Sequence, residues 1–255
     1  MNQNRQTPIM ALKTKEEIQK HYQKSSVTVK YVGNRFKEPI GILKHQKQIA
    51  VINTFIAKKK NPTVLDLACG PARLTKDMKG VTKGYALDSS PGMLEQAKKV
   101  LSKVWTVQEG DAYNLPFKKA TIDILTTFRF IRHFERGDRH KLYAQAHKVL
   151  KKDGYLILDV LNKKPTKILK LLGKHKYQVY DALYPSLKTF EQEIENEGFK
   201  IIHARPIVHH TLSQLAISKV TKALHLHSIG YKTVSALERL GGKSPWEWIV
   251  VLQKK

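Results

Sequence analysis

The 255-residue chain is short of cysteine, of acidic residues and of long apolar runs, and each shortage removes a class of protein. Cys69 is the only cysteine, so neither an intramolecular disulfide nor a cysteine-rich metal site can form. Its place among small residues suits a space-filling side chain, with a reactive thiol as the alternative. No stretch approaches the roughly 18 apolar residues that span a bilayer. The first residues, Met1 to Pro8, lack the apolar core of a secretory signal, so the expectation is a cytoplasmic protein without a membrane span. Aspartate and glutamate total 21 against 46 lysines and arginines, a formal charge of +25. So basic a balance can attract nucleic acid or an anionic membrane surface. The excess is mostly lysine, spread from Lys13 to Lys255, and lysine also simply solvates surfaces. His203, His209, His210, His225 and His227 have no carboxylate or cysteine at ligand spacing, so no metal site is expected. Glycine is also scarce where a dinucleotide site would need G-x-G-x-x-G: the loop after the first strand has only Gly70.

What is present is an alternation of apolar strands and helical stretches. Val64 to Ala68 reads as a strand buried on both faces, followed by the small-residue loop Ala68-Cys69-Gly70-Pro71-Ala72. Gly84 to Asp88, Val104 to Gln108, Ile122 to Phe128, Tyr155 to Val160, a strand from Phe199 and Trp246 to Leu252 complete a seven-strand α/β sheet. In open parallel sheets ligands bind outside the C-terminal strand ends, and an acid there can take ribose hydroxyls. Asp66, Asp88 and Asp111 stand at or just after three successive strand ends. Helices are expected at Lys15–Gln23 with Thr14 as cap, from Pro39 to Lys60, at Leu74–Met78, and from Ser89-Ser90-Pro91 with a capping serine. Others are expected at Asp138–Leu150, in the basic stretch from Asn162 to Gln178, at Ser186–Glu197, and twice between residues 206 and 245. Phe130, His133 and Phe134 would share one face of a helical turn.

The loop after the first strand resembles the first motif of class I S-adenosylmethionine-dependent methyltransferases, hydrophobic-hydrophobic-Asp-x-G/A-x-G-x-G. Asp66, Ala68 and Gly70 fall on it, and Ala72 replaces the usual last glycine. Gly110-Asp111-Ala112-Tyr113-Asn114-Leu115-Pro116-Phe117 resembles the family's third motif. The resemblance implies a doubly wound, Rossmann-like seven-strand sheet with residues 61–255 as the cofactor domain. Residues 1–60 would be a helical cap, with lid or substrate-shaping inserts at 162–185 and 206–245. It implies S-adenosyl-L-methionine as cofactor, with Asp88 and Ser89 at the ribose and Asp111 and Ala112 at the adenine. Met93 and Thr127 would complete that site, with Asp66, Ala68, Cys69 and Gly70 along the methionine chain.

By the same resemblance the methyl group faces the end of the fourth strand. Tyr31, Arg35, Phe36, Phe128, His209 and His210 would then border the acceptor. His133 is either a general base or a packing residue, and Arg129 either a pocket wall or an ion-pair partner. The expected activity is in-line methyl transfer to an O, N or C nucleophile of a small molecule. An RNA or tRNA methyltransferase would use the +25 charge and is less favoured, because no RNA-binding module is visible. A cofactor-binding partner protein without catalysis is the remaining alternative. The oligomeric state is not legible.

Overall fold

The structure, a computed structural model, describes residues 38–173 and 182–255. Its strands are β1 (Thr63–Leu67), β2 (Lys83–Asp88), β3 (Trp105–Glu109), β4 (Ile122–Thr127), β5 (Leu150–Asn162), β6 (Leu183–Tyr184), β7 (Phe199–Ile207) and β8 (Glu247–Lys254). They lie in the order β3-β2-β1-β4-β5-β8-β7, with the two-residue β6 paired to the end of β5. The first five strands run parallel, and β8 is antiparallel to both β5 and β7. The doubly wound seven-strand sheet read from the sequence is therefore present, with β6 as an addition.

Each face of the sheet is covered by helices because its strands alternate two apolar sets. On one face, Val64, Ile124, Ile157, Ile249 and Val251 meet Val51, Ile52, Phe55 and Ile56 of α1 (Pro39–Ile56). On the other, Leu65, Leu125, Leu156, Leu158, Val250 and Leu252 meet α3 (Arg136–Val149) and α5 (Leu187–Glu195) through Leu142, Tyr143, Ala146, Phe190 and Ile194. Each such buried side chain contributes roughly 1.5–3 kcal/mol of transfer free energy, so this double layer fixes the strand register and the edge it presents. Between α1 and α3 in sequence lies α2 (Pro91–Val100), which buries Met93, Leu94 and Ala97.

Several local expectations change. The helix expected at Leu74–Met78 is only a 3-10 turn, Thr75–Asp77, while the helical turn read at Phe130–Phe134 is the 3-10 turn Ile131–His133. Pro91 does open α2, but Ser90 makes no side-chain cap; its N–H instead donates to Asp88 Oδ1 at 3.0 Å. The expected helix Lys15–Gln23 and its cap Thr14 lie outside the described residues.

The stretch between β7 and β8 forms two helices, α6 (Thr211–Ala223) and α7 (His227–Arg239). They pack on each other and on α1: Ile40 N–H donates to Ser218 Oγ at 3.0 Å. Gly230 permits that approach, since a Cβ there would meet Thr221 Oγ1 at 2.1 Å and Pro39 Cγ at 2.8 Å. After β5, Asn162 caps α4 (Lys163–Leu171), its side chain accepting from Lys164 N–H at 3.1 Å. No helix of the described residues is long and apolar enough to cross a membrane.

Candidate active site

Two adjoining cavities open at the C-terminal ends of β1, β2 and β4. The larger encloses about 110 Å³ and the smaller about 30 Å³. The smaller adjoins it through shared walls at Ala68, Gly70, Phe128 and Arg129.

The loop between β1 and the first 3-10 turn makes the partition. Ala68, Gly70 and Ala72 all take left-handed backbone, with φ of 55°, 55° and 60°. Only glycine does so without steric cost, so both alanines hold strained positions that the surrounding structure fixes. Cys69 N–H donates to Leu87 O at 3.1 Å, and Gly70 N–H to Asp88 Oδ2 at 2.8 Å, which ties the loop to β2. A Cβ on Gly70 would meet nothing within 4 Å, so its left-handed φ is what asks for glycine. Burial, with the charges of Asp88 and Asp66 nearby, pushes the Cys69 thiol well above its usual pKa. Cys69 is thus a protonated, buried filler.

Three carboxylates stand where the sequence places them, in three different environments. Asp88 lines the larger cavity and accepts from the N–H groups of Gly70 and Ser90. Burial raises its pKa, and those backbone donors offset part of the rise. A carboxylate has more lone pairs than two N–H donors use, so Asp88 can still accept from ligand hydroxyls. Asp111 is exposed on the rim of the same cavity and accepts from Tyr113 N–H at 3.0 Å. Asp66 is buried on the wall of the smaller cavity, where Thr126 Oγ1 donates at 2.7 Å and Thr75 Oγ1 also donates. Burial lifts its pKa to about 6, against the pull of both hydroxyls.

Ser89, Met93 and Ala112 also line the larger cavity, and Cys69 lines the smaller. Thr127 lines neither. Alternation along β4 sends it to the Leu125 side of the sheet, and its hydroxyl is buried without a hydrogen-bond partner among the described residues. Thr127, expected at the cofactor, is thus not among the residues that line the two cavities.

The far wall of the larger cavity is aromatic. Phe128, Phe130, Phe134 and Tyr113 line it together with Arg129 and His133. Phe130 and Phe134 meet edge to face at 4.8 Å, and Tyr113 and Phe134 at 5.9 Å. Tyr113, Phe130 and Phe134 were not read as site residues, although the spacing of the two phenylalanines with His133 was the signal for them. Arg129 sits at φ 62°, costly for a long side chain, and its N–H donates to Asp159 Oδ1 at 2.6 Å. Arg129 therefore lines the cavity while its backbone N–H is anchored on Asp159.

Behind this wall lies a buried ionic group that sequence spacing did not reveal. Asp159 pairs with Arg132, and Glu247 with Lys44 at 2.6 Å. Burial holds Lys44 down to about 8 even with Glu247 beside it, and Arg132 adds to the lowering. Burial would raise Glu247, but Lys44 and Arg132 outweigh it and keep it below its ordinary value. Arg73, on the smaller cavity, is another residue the sequence did not flag. Its guanidinium meets His45 Nδ1 at 3.1 Å and donates to Gln48 Oε1 at 2.9 Å, both on α1. Burial and the Arg73 charge lower the His45 pKa, so Nδ1 accepts from Arg73 while Nε2–H faces Asp77 at 2.9 Å.

His209 and His210 do not reach either cavity. Glu238 of α7 accepts from the N–H groups of Val208 and His209 at 3.0 and 3.1 Å and draws the start of α6 onto α7. The His209 ring also lies 3.2 Å from Glu238, which holds it in the α6–α7 layer, and neither histidine is among the residues that line the two cavities. Tyr31, Arg35 and Phe36 lie outside the described residues. Among the described residues no group of three His, Cys, Asp or Glu side chains is placed to hold a metal ion.

Comparison with known proteins gives a consistent picture. Residues 64–154 match the family described as "Methyltransferase domain". The chain is 27% identical to a demethylmenaquinone methyltransferase of Lactiplantibacillus plantarum over 64% of its own length and 80% of the relative's. It is 40% identical to the enzyme of that name from Thermotoga maritima, over 37% of this chain and 42% of the other. Among solved structures, magnesium protoporphyrin IX methyltransferase from Synechocystis with bound SAH superposes with a TM-score of 0.65 at 13% identity, over 95% of this chain and 100% of that one. A methyltransferase in complex with the Trm112 activator, from Haloferax volcanii, gives 0.61 at 16% identity, over 91% and 96%.

Proposed function

We propose that this chain is a class I S-adenosylmethionine-dependent methyltransferase and that its methyl acceptor is a small molecule carrying an O, N or C nucleophile. The observation that carries the proposal is the division of the larger cavity. Acids and backbone groups line one side, and a concave aromatic wall with Arg129 and His133 lines the other.

The cofactor side fits an adenosine. Asp88, held by two backbone donors, takes the ribose hydroxyls beside Ser89, while Asp111 and the Ala112 N–H take the adenine edge over Met93. The left-handed loop lets backbone lie against the methionine chain, and Asp66 in the adjoining cavity faces its amine. Arg73, steadied by His45 and Gln48, supplies a cation for the carboxylate on the same side. Bound there, S-adenosylmethionine supplies a methyl group made electrophilic by a sulfonium. The protein's part is alignment: the rings of Phe128, Phe130 and Phe134 exclude water and hold the acceptor. His133 is the side chain on that wall able to take a proton near neutral pH.

Calorimetry with S-adenosylmethionine and its demethylated product, followed by turnover on a panel of small acceptors, tests this reading. Demethylmenaquinone, the acceptor in the names of two relatives, is the first compound to try. Cofactor binding with methylation of a small acceptor is the expected result. Methylation of bulk tRNA alone would place the acceptor among nucleic acids. Cofactor binding without any turnover would make the chain a partner protein, the situation in which an activator complex is of interest.

A further inference from the structure

The α4 helix is not used by the site, and its exposed face is unusual. From Lys163 to Leu172 it carries Lys163, Lys164, Lys167 and Lys170, and no acid lies between Asp159 and Asp181 in the chain. Pro165, Thr166 and Leu169 form the buried side that seats it. The flank beside it exposes apolar residues along with the lysines: Leu171 is 88% accessible, Leu172 51% and Ile168 37%. At 100° per residue, Leu171, Ile168 and Leu172 form one strip, with Lys164 within it and Lys167 at its edge.

Position adds to this. Thr127, the last residue of β4, pairs with Leu158, and β5 continues beyond it to Asn162. The helix therefore begins above the same strand-end edge at which both cavities open. Exposed leucines framed by lysines match an interfacial helix, in which apolar side chains enter the headgroup region and lysines meet anionic lipid. They match nucleic acid poorly, since α4 offers neither arginine forks nor aromatic rings to stack on bases.

We infer that α4 docks the chain on an anionic phospholipid surface, with the strand-end edge of the sheet toward the bilayer. The test is sedimentation of the full chain with phosphatidylcholine vesicles made with and without phosphatidylglycerol. Calorimetric cofactor binding serves as the check that each variant is folded. The expected result is binding that requires the anionic lipid and falls at least about tenfold in the double variant Lys164→Glu, Lys167→Glu. Leu171→Asp should weaken it by roughly tenfold as well, through loss of a buried apolar side chain. No binding to either vesicle, equal binding to both, or anionic binding unchanged by these variants would overturn the inference. So would single-stranded RNA binding that the same substitutions abolish while vesicle binding persists. Cofactor affinity is read separately, so a failure here is distinguishable from a failure of the methyltransferase reading.

Discussion

Asp88 and Glu247 both lie at the C-terminal edge of the sheet, but the protein holds them in different ways. Asp88 is gripped by the N–H groups of Gly70 and Ser90, partners that carry no formal charge and leave oxygen lone pairs for a ligand. Glu247, fully buried, faces the Lys44 ammonium, with Arg132 Nη2 at 3.9 Å, so its charge is consumed within the fold. Backbone donors thus prepare a carboxylate for a guest, while side-chain cations turn one into structure. The β2 side of the edge is built for binding and the β5–β8 side for support.

Removing the supporting acid should have the largest effect. Glu247→Ala leaves Lys44 buried without its counter-ion, and such a change typically costs about 3–5 kcal/mol. Denaturant titration should show that loss; a change under about 1 kcal/mol would erase the distinction between the two sides. Asp88→Ala should do the converse: cofactor affinity falls at least about tenfold, because charge-assisted hydrogen bonds are worth roughly 1.5–3 kcal/mol. Calorimetry on a folded variant with unchanged affinity would refute the ribose assignment.

Asp66 gives a pH-dependent contrast between stability and binding. Its pKa is raised from 3.8 to about 6, so between those values the folded chain holds a proton that the unfolded chain has released. Stability from this group is therefore present below 3.8 and lost as pH rises through about 6. Affinity for the cationic amine should run the other way, weakening by up to about tenfold per pH unit below about 6. Asp66→Asn should flatten that binding profile; an unaltered profile would place the titration elsewhere. The smallest effect is expected at Ala72. Glycine there relieves the left-handed backbone at φ 60°, so Ala72→Gly should raise stability by up to about 1 kcal/mol in thermal unfolding.

The side we assign to the cofactor was legible because its signals are local. Asp66, Asp88 and Asp111 each follow an apolar strand, and Gly70 stands in a loop of small residues, so strand ends and loop could be read in order. The support side was not, because its pairs join distant positions. Lys44 meets Glu247 across 203 residues, and Arg73 meets His45 across a helix that periodicity describes without fixing its orientation. For the same reason the tie from Glu238 to His209 was not legible: nothing near His209 in the sequence shows that α7 holds it. The short turn at Thr75–Asp77 was overread as a helix, since a few apolar residues at helical spacing do not outweigh nucleation cost.

The insertion of β8 between β5 and β7 has a consequence for synthesis. The ammonium on α1 is made 203 residues before its counter-ion leaves the ribosome. Until then a nascent chain can assemble the parallel strands and their first helix but has no anion for that lysine. Completion of the sheet is thus tied to translation of β8, and chains stopped before residue 247 should remain open along that side.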